Sequence, residues 1–86
     1  MPLVSEFFGI KIYMYWADHF PMHFHAEYGS SKALISIQES AVIKGVLPAK
    51  QLKLVLALCE IHKDELIQNW NSAQKNGEIA KIGPLK

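Results

Sequence analysis

The sequence has a single cysteine, almost no excess of charge and no long apolar run, and each shortage excludes a class of protein. Cys59 has no second cysteine with which to form a disulfide within the chain, so we expect a reducing, cytoplasmic setting. Nine basic and eight acidic side chains give a formal net charge of +1, which excludes a general attraction to nucleic acids or membranes. The lack of a membrane-length apolar run and of a secretory signal predicts no membrane association.

What is present is the composition of an ordinary globular protein. Half of the 86 residues are hydrophobic and one fifth are charged, a balance that argues against disorder. The length predicts a single domain over residues 1–86. The sequence contains no Gly-x-Gly-x-x-Gly or Gly-Lys-Ser/Thr motif, so nucleotide hydrolysis is disfavoured.

Alternation of apolar and polar residues in the first half of the chain predicts four β-strands. They are expected at about 7–16, 23–28, 32–38 and 42–47, the last of them weakened or bulged at Gly45. Short connections favour a sequential antiparallel meander. The inward face of the first strand is expected to carry Phe8, Ile10, Ile12, Met14 and Trp16.

A single long helix is predicted behind these strands, from about residue 48 to residue 75. Pro48 suits a first helical turn, and Asn76-Gly77 is a typical stop signal. One apolar stripe of the helix should cover one face of the sheet, which predicts a two-layer α+β domain. The stripe comprises Leu52, Val55, Cys59, Leu66 and Trp70.

A second apolar flank of the predicted helix indicates self-association. Leu54, Leu58 and Ile61 lie on this flank at helical spacing, and it is more apolar than a monomer needs. We therefore expect a homodimer contact there. The tail over residues 78–86 is compatible with an edge segment of the sheet or with disorder.

Three of the four histidines lie within seven residues, and this cluster is the main candidate for a functional site. His23 and His25 project from the same face of a strand with Cβ atoms about 7 Å apart, and His19 lies in the preceding loop. Three imidazoles are suitable ligands for Zn²⁺ or a similar ion. A metal-free pair of imidazoles can instead act as general acid and base near neutral pH. A third interpretation gives the histidines only a solvated surface position or structural hydrogen bonds.

The same sheet face is expected to carry tyrosines and lysines beside the histidines. Antiparallel pairing brings Lys11, Tyr13 and Tyr15 onto the face of His23 and His25. Exposed aromatic rings among cationic side chains are how many small domains stack the bases and contact the phosphates of RNA. The alternative is that the tyrosines only cover the sheet or form a dimer contact. This face is also expected to carry Glu27, with Lys32, Ser36, Gln38 and Lys44 further out.

Five short motifs are spread over nearly the whole chain: Phe7-Phe8-Gly9-Ile10, Met14-Tyr15, Asp18-His19-x-Pro21-x-His23-Phe24-His25-x-x-Tyr28, Gly45-x-Leu47-Pro48 and Asn69-Trp70. With these motifs the chain resembles a family of short bacterial proteins classified as a domain of unknown function, number 4160. The opening Met-Pro also fits this family, which suggests a complete protein. The resemblance implies no established activity, but it implies a gene arrangement similar to toxin–antitoxin operons and a cognate small protein, encoded nearby, as partner.

The leading hypothesis from the sequence is a toxin–antitoxin-like component that binds or cleaves RNA. For cleavage, one of His23 and His25 acts as general base toward the 2′-hydroxyl and the other as general acid. Lys11 steadies the phosphate, and no metal is needed. The expected nucleic-acid contacts are Lys11, Tyr13, Tyr15 and Lys32.

Two alternatives from other functional classes stay open. In the first, His19, His23 and His25 hold Zn²⁺ in a metal-binding module. In the second, the protein is non-catalytic and uses the same sheet face, together with the apolar helix flank, to bind a partner chain.

Overall fold

A computed structural model describes residues 3–16, 19 and 21–83. In this structure, a five-stranded antiparallel sheet is followed by two helices. The strands follow one another in the sheet in the order β1-β2-β3-β4-β5. The predicted α+β class is confirmed, whereas four strands and one long helix are corrected to five strands and two helices. The elements are β1 (Leu3–Phe7), β2 (Ile10–Tyr13), β3 (His23–Tyr28), β4 (Ser31–Ser36), β5 (Ala41–Val46), α1 (Ala49–Ile61) and α2 (Lys63–Gln74).

The additional strand, β1, lies almost entirely before the predicted first strand, and a tight turn at Phe8 and Gly9 separates it from β2. Phe8 and Gly9 have φ angles of 49° and 79°, and Phe7 pairs with Ile10 across the turn. Two successive positive φ angles are typical of a two-residue type I′ hairpin turn. The strand predicted over 7–16 is shortened to Ile10–Tyr13. The sequence did not reveal the turn, because phenylalanine is a rare residue at positive φ. Phe8, predicted to face the core, is 62% exposed instead.

The exposed Phe8 provides a stability prediction. We expect Phe8→Asn to raise the free energy of unfolding by about 1 kcal/mol, because asparagine tolerates the left-handed conformation and asparagine-glycine is a preferred type I′ pair. Urea denaturation followed by tryptophan fluorescence measures the change. Phe8→Val is the matched control, since a β-branched residue is less suited to positive φ and should lower stability. A Phe8→Asn variant less stable than the wild type would contradict the turn assignment.

Trp16 also departs from its predicted inward position. It lies three residues beyond the end of β2, where strand alternation no longer sets the direction of a side chain, and it is 48% exposed. Its indole Nε1 donates a hydrogen bond to the carbonyl oxygen of Gly77 at 2.8 Å. The indole therefore connects the chain after β2 to the segment after α2.

The predicted long helix is interrupted at His62. This residue has φ −108° and ψ 26°, outside the α-helical region. Backbone hydrogen bonds from His62 to Leu58 and from Leu66 to His62, both 2.9 Å, still cross the interruption. His62 Nδ1 lies 2.6 Å from the Glu65 carboxylate. The result is two helices that follow each other directly.

The end of α2 agrees with the predicted stop signal. Asn76 has a positive φ of 57°, and the Gly77 N–H donates to the Ser72 carbonyl at 2.8 Å. The Asn76 N–H donates to the Ala73 carbonyl at 3.1 Å. This pair of bonds is the Schellman arrangement, which satisfies two carbonyl groups at the end of a helix.

Both helices contribute to one hydrophobic core on the inner face of the sheet. Of the predicted helix stripe, Leu52 is only partly buried. Of the residues predicted to form an apolar flank for a homodimer, Leu58 is fully buried in this core, Ile61 is 64% exposed and Leu54 is partly buried, so Leu58 is not available to a partner. The fully buried residues of the core include Ile10, Ile12, Phe24, Ile35, Ile37, Val55, Leu58, Cys59 and Leu66.

The tail after α2 is docked against β1. The Ile82 N–H donates to the Val4 carbonyl at 2.7 Å, and the Ile82 side chain is buried in the core. The side-chain amide of Asn69 holds Ala80 from both sides, with Nδ2 donating to its carbonyl at 2.8 Å and Oδ1 accepting its N–H at 3.1 Å. The tail to Gly83 is therefore held against β1 and α2 without forming a further strand of the sheet, while residues 84–86 lie outside the described residues.

The last strand of the sheet has an irregular course. All six residues of β5 are exposed. Its pairing with β4 changes register, since Lys44 lies opposite Leu34 and Val42 lies opposite Ile35. The intervening Ile43 is thus an extra residue, which is a β-bulge. As to helices, neither α1 nor α2 in the described residues combines the length and the apolar character of a bilayer span.

Candidate functional site

The face of the sheet opposite the helices carries most of the candidate residues, and we call it the outer face. Tyr13 lies opposite His25, and Lys11 lies opposite Glu27. On the next strand, Glu27 lies opposite Lys32. The register therefore brings the predicted tyrosine, histidine and lysine positions onto neighbouring strands. The outer face comprises Glu6, Lys11, Tyr13, His25, Glu27, Lys32, Leu34 and Lys44.

An array of ring contacts runs from the end of the outer face toward the core. The Tyr15 ring lies 4.5 Å from the His25 ring in an edge-to-face arrangement. The His25 ring lies 5.2 Å from that of His23, which in turn lies 5.1 Å from the Trp70 ring. These separations lie in the range in which aromatic rings attract one another. The array connects α2 to the outer face.

His23 occupies a buried place in this array. It is only 6% exposed, and its Nδ1 donates to the Pro21 carbonyl at 2.8 Å. Trp70 of α2 lies against the imidazole, a contact that the sequence near the histidines does not reveal. The predicted acid–base pair requires two imidazoles that reach a substrate, and this burial leaves only His25, which is half-buried, in contact with the outer face.

His19 is exposed and does not combine with the other two histidines into a metal centre. Within residues 3–16, 19 and 21–83, no three histidine, cysteine, aspartate or glutamate side chains come together in a group able to hold a metal ion. Asp18, which belongs to the same sequence motif, lies outside the described residues. The donor geometry of the described residues thus gives no support to the predicted module of His19, His23 and His25.

A shallow cavity of about 270 Å³ opens on the outer face over β3, β4 and β5. Four polar side chains surround a floor formed by the Leu34 side chain and the strand backbone at Ala26 and Ala33. Two of the four, Glu27 and Lys44, received no definite role from the sequence. Lys44 reaches the cavity because the meander places β5 beside β4. The lining residues are His25, Ala26, Glu27, Lys32, Ala33, Leu34, Lys44 and Gly45.

Gly45 fixes the position of β5 at this cavity. Its φ of +89° is unfavourable for any residue with a side chain. A Cβ atom there would lie 2.3 Å from the carbonyl oxygen of Lys32 and 2.9 Å from the Cα of Ala33. The missing side chain therefore permits a close approach of β5 to β4. Lys44, the preceding residue, is placed at the cavity by this approach.

Within the described part of the chain, the lysines of the outer face are not neutralised by ion pairs. Two ion pairs of the described residues, His62 with Glu65 and Lys63 with Glu60, lie in the helical layer. Among the described residues, Lys11, Lys32 and Lys44 take part in neither ion pairs nor side-chain hydrogen bonds. Three lysine ammonium groups on this face are therefore available to a ligand.

Cys59 lies apart from the outer face and has a structural role. Its Sγ is buried, donates to the Ile37 carbonyl at 3.5 Å and accepts from Ser40 Oγ at 3.4 Å. Burial raises the pKa of the thiol, which outweighs the opposing effect of the Ser40 hydrogen bond. The thiol form therefore predominates at neutral pH, as expected of a core residue.

Fold and site together define a small α+β domain whose uncovered sheet face combines aromatic rings, lysines and a shallow cavity. The model of the family described as "Domain of unknown function (DUF4160)" matches residues 9–71, and the chain belongs to this family. The resemblance stated from the sequence motifs is thereby confirmed. The matched segment includes the site positions from Lys11 to Lys44. No curated protein and no solved structure matches the chain significantly.

Proposed function

We propose that this protein binds single-stranded RNA on its outer face and does not cleave it. The observation that carries the proposal is the juxtaposition, on one uncovered sheet face, of aromatic rings with three lysines that form no ion pair with any other described residue. Sheets of this kind bind unpaired bases by stacking and hold the backbone by cationic contacts. The residues proposed to act are Lys11, Tyr13, Tyr15, His25, Lys32 and Lys44.

The aromatic part of the proposal rests on Tyr13, Tyr15 and His25. Tyr13 is half-buried beside His25 on the neighbouring strand, and Tyr15 packs its ring against the same imidazole. Rings held by their neighbours lose little conformational entropy when a base stacks on them. Each stacked base contributes about 1–3 kcal/mol to affinity.

The cationic part rests on the three lysines of the outer face. Because the chain has a net charge of only +1, attraction to RNA must come from this local group. Neutralising three phosphates of a single strand corresponds to a slope of about −2 in a plot of log K against log salt concentration. We therefore expect binding of moderate strength that weakens strongly as salt is raised.

RNA cleavage is not included in the proposal. A general acid and a general base must both reach the scissile phosphodiester, and His23 is buried between Trp70 and His25. His25 alone does not provide both roles. In the toxin–antitoxin-like setting that the family resemblance implies, the protein thus acts as an RNA-binding component.

The proposal is tested by fluorescence anisotropy with a labelled single-stranded RNA of mixed sequence. We expect the double variant Lys32→Ala/Lys44→Ala to bind at least about tenfold more weakly than the wild type, with a shallower salt slope. Lys50→Ala/Lys53→Ala is the matched control, since it removes the same charge from exposed positions of α1 and should keep most of the affinity. Equal losses in the two double variants, or no binding by the wild type, would refute the proposal.

A further inference from the structure

We infer that the outer-face cavity binds a guanine base of single-stranded RNA, with the Glu27 carboxylate accepting hydrogen bonds from the base edge between Lys32 and Lys44. This inference rests on the proposed function and specifies which base the cavity takes.

Glu27 is a carboxylate with unused hydrogen-bond acceptor capacity among the described residues. Its side chain is half-buried and lines the cavity. Lys11 and Lys32 lie opposite it on the two neighbouring strands. Within the described residues, however, neither lysine forms an ion pair with it, and it accepts no side-chain hydrogen bond. A carboxylate has only acceptor capacity, and leaving that capacity unused in a partly desolvated place is unfavourable. The cavity thus favours a ligand that brings N–H donors.

The positive charge around the cavity disfavours cationic ligands. Lys32 and Lys44 line it together with Glu27, and their ammonium groups repel a cationic ligand such as a metal ion or an amine. The same groups attract the phosphates on either side of a bound nucleotide. The cavity is therefore suited to a neutral group with N–H donors that is carried on an anionic backbone, which is the chemistry of a nucleobase in RNA.

The two acceptor oxygens of the Glu27 carboxylate favour one of the four bases. Guanine presents two neighbouring donors, N1–H and the N2 amino group, which match the two oxygens of a carboxylate in a bidentate pair. Adenine and cytosine present an amino group beside an acceptor nitrogen, and uracil presents one N–H between two carbonyls. Guanine is therefore the base that gains most from Glu27. Such Watson–Crick edges are accessible in unpaired RNA.

The size of the site agrees with one base. A volume of about 270 Å³ lies just below the lower end of the range of about 300–1,000 Å³ for small-molecule sites. The floor consists of the strand backbone at Ala26 and Ala33, whose methyl groups are buried in the core, and of the Leu34 side chain, which offers apolar contact to a flat ring; the His25 imidazole lies at the border. We expect one nucleotide in the cavity, with the adjoining nucleotides on Tyr13 and Tyr15.

The test compares three labelled RNAs by fluorescence anisotropy: an oligouridine, the same strand with two central guanosines, and the same strand with two central inosines, which lack the N2 amino group. We expect the wild type to bind the guanosine RNA about tenfold more tightly than oligouridine, with the inosine RNA in between. Glu27→Gln should abolish this ratio, because an amide offers one acceptor oxygen and a repelling N–H₂ group. Glu6→Gln, the same charge change elsewhere on the outer face, should preserve it.

The ratio between the RNAs distinguishes the inference from the function on which it rests. Equal affinities of the wild type for guanosine and uridine RNA, with the Lys32→Ala/Lys44→Ala defect intact, would overturn guanine recognition but not RNA binding. Guanine recognition through Glu27 is likewise overturned if the Glu27→Gln variant keeps the same ratio of affinities for guanosine and uridine RNA as the Glu6→Gln variant. Failure of the wild type to bind any of the three RNAs would overturn both.

Discussion

Gly45→Ala should lower the free energy of unfolding by about 3 kcal/mol or more. The φ of +89° costs a residue with a side chain about 1–3 kcal/mol. The new Cβ would in addition lie 2.3 Å from the Lys32 carbonyl oxygen. That oxygen belongs to the backbone of β4, so the clash is relieved only by separating β4 from β5. Chemical denaturation followed by circular dichroism measures the loss.

Gly29→Ala is the matched control for this prediction. Gly29 also has a positive φ, 59°, but a Cβ atom there would meet nothing within 4 Å. Its substitution therefore carries only the conformational cost of about 1 kcal/mol. If the two variants lose the same stability, the close approach of β5 to β4 is not what requires glycine at position 45.

Asn69→Ala should lower the free energy of unfolding by about 2 kcal/mol and release the tail. The substitution removes both hydrogen bonds to the Ala80 backbone, each of which contributes about 1 kcal/mol. Loss of the tail would also expose Ile82, whose side chain is 5% exposed in the folded protein. The two effects are coupled because Asn69 and Ile82 hold the same segment.

Tryptic cleavage after Lys81 reports the release of the tail directly. Lys81 is exposed, and cleavage there requires the docked segment to leave Asn69 and β1. We expect Asn69→Ala to accelerate this cleavage, monitored by mass spectrometry, while Asn71→Ala, an exposed substitution on the same helix, leaves it unchanged. Equal cleavage rates in the two variants would show that the Asn69 amide does not hold the tail.

The sequence predicts those parts of the fold that depend on local periodicity. Alternation places Ile10, Ile12, Phe24 and Ile35 in the core, and the stop signal at Asn76-Gly77 coincides with the end of α2. The turn at Phe8 escaped prediction because the favoured residue at that position of a type I′ turn is asparagine, aspartate or glycine.

The parts that depend on distant contacts were not predictable in the same way. His23 is buried because Trp70, far away in the sequence, lies against it. The positions of Glu27 and Lys44 at one cavity depend on the pairing of three strands and on the bulge in β5. Local patterning indicates the side of a strand on which a residue lies, but how deeply that residue is buried depends on how the helices pack against the sheet.

The irregular course of β5 has a consequence for the behaviour of the protein at high concentration. A straight, apolar edge strand pairs readily with a strand of a second molecule, and repeated pairing of this kind leads to fibrous aggregates. β5 exposes Val42, Ile43 and Val46. Its extra residue and the positive φ of Gly45, however, interrupt the regular ladder that a strand of a second molecule would need. Lys44 adds charge repulsion between copies. The same distortion that shapes the cavity thus protects the border of the sheet from polymerisation.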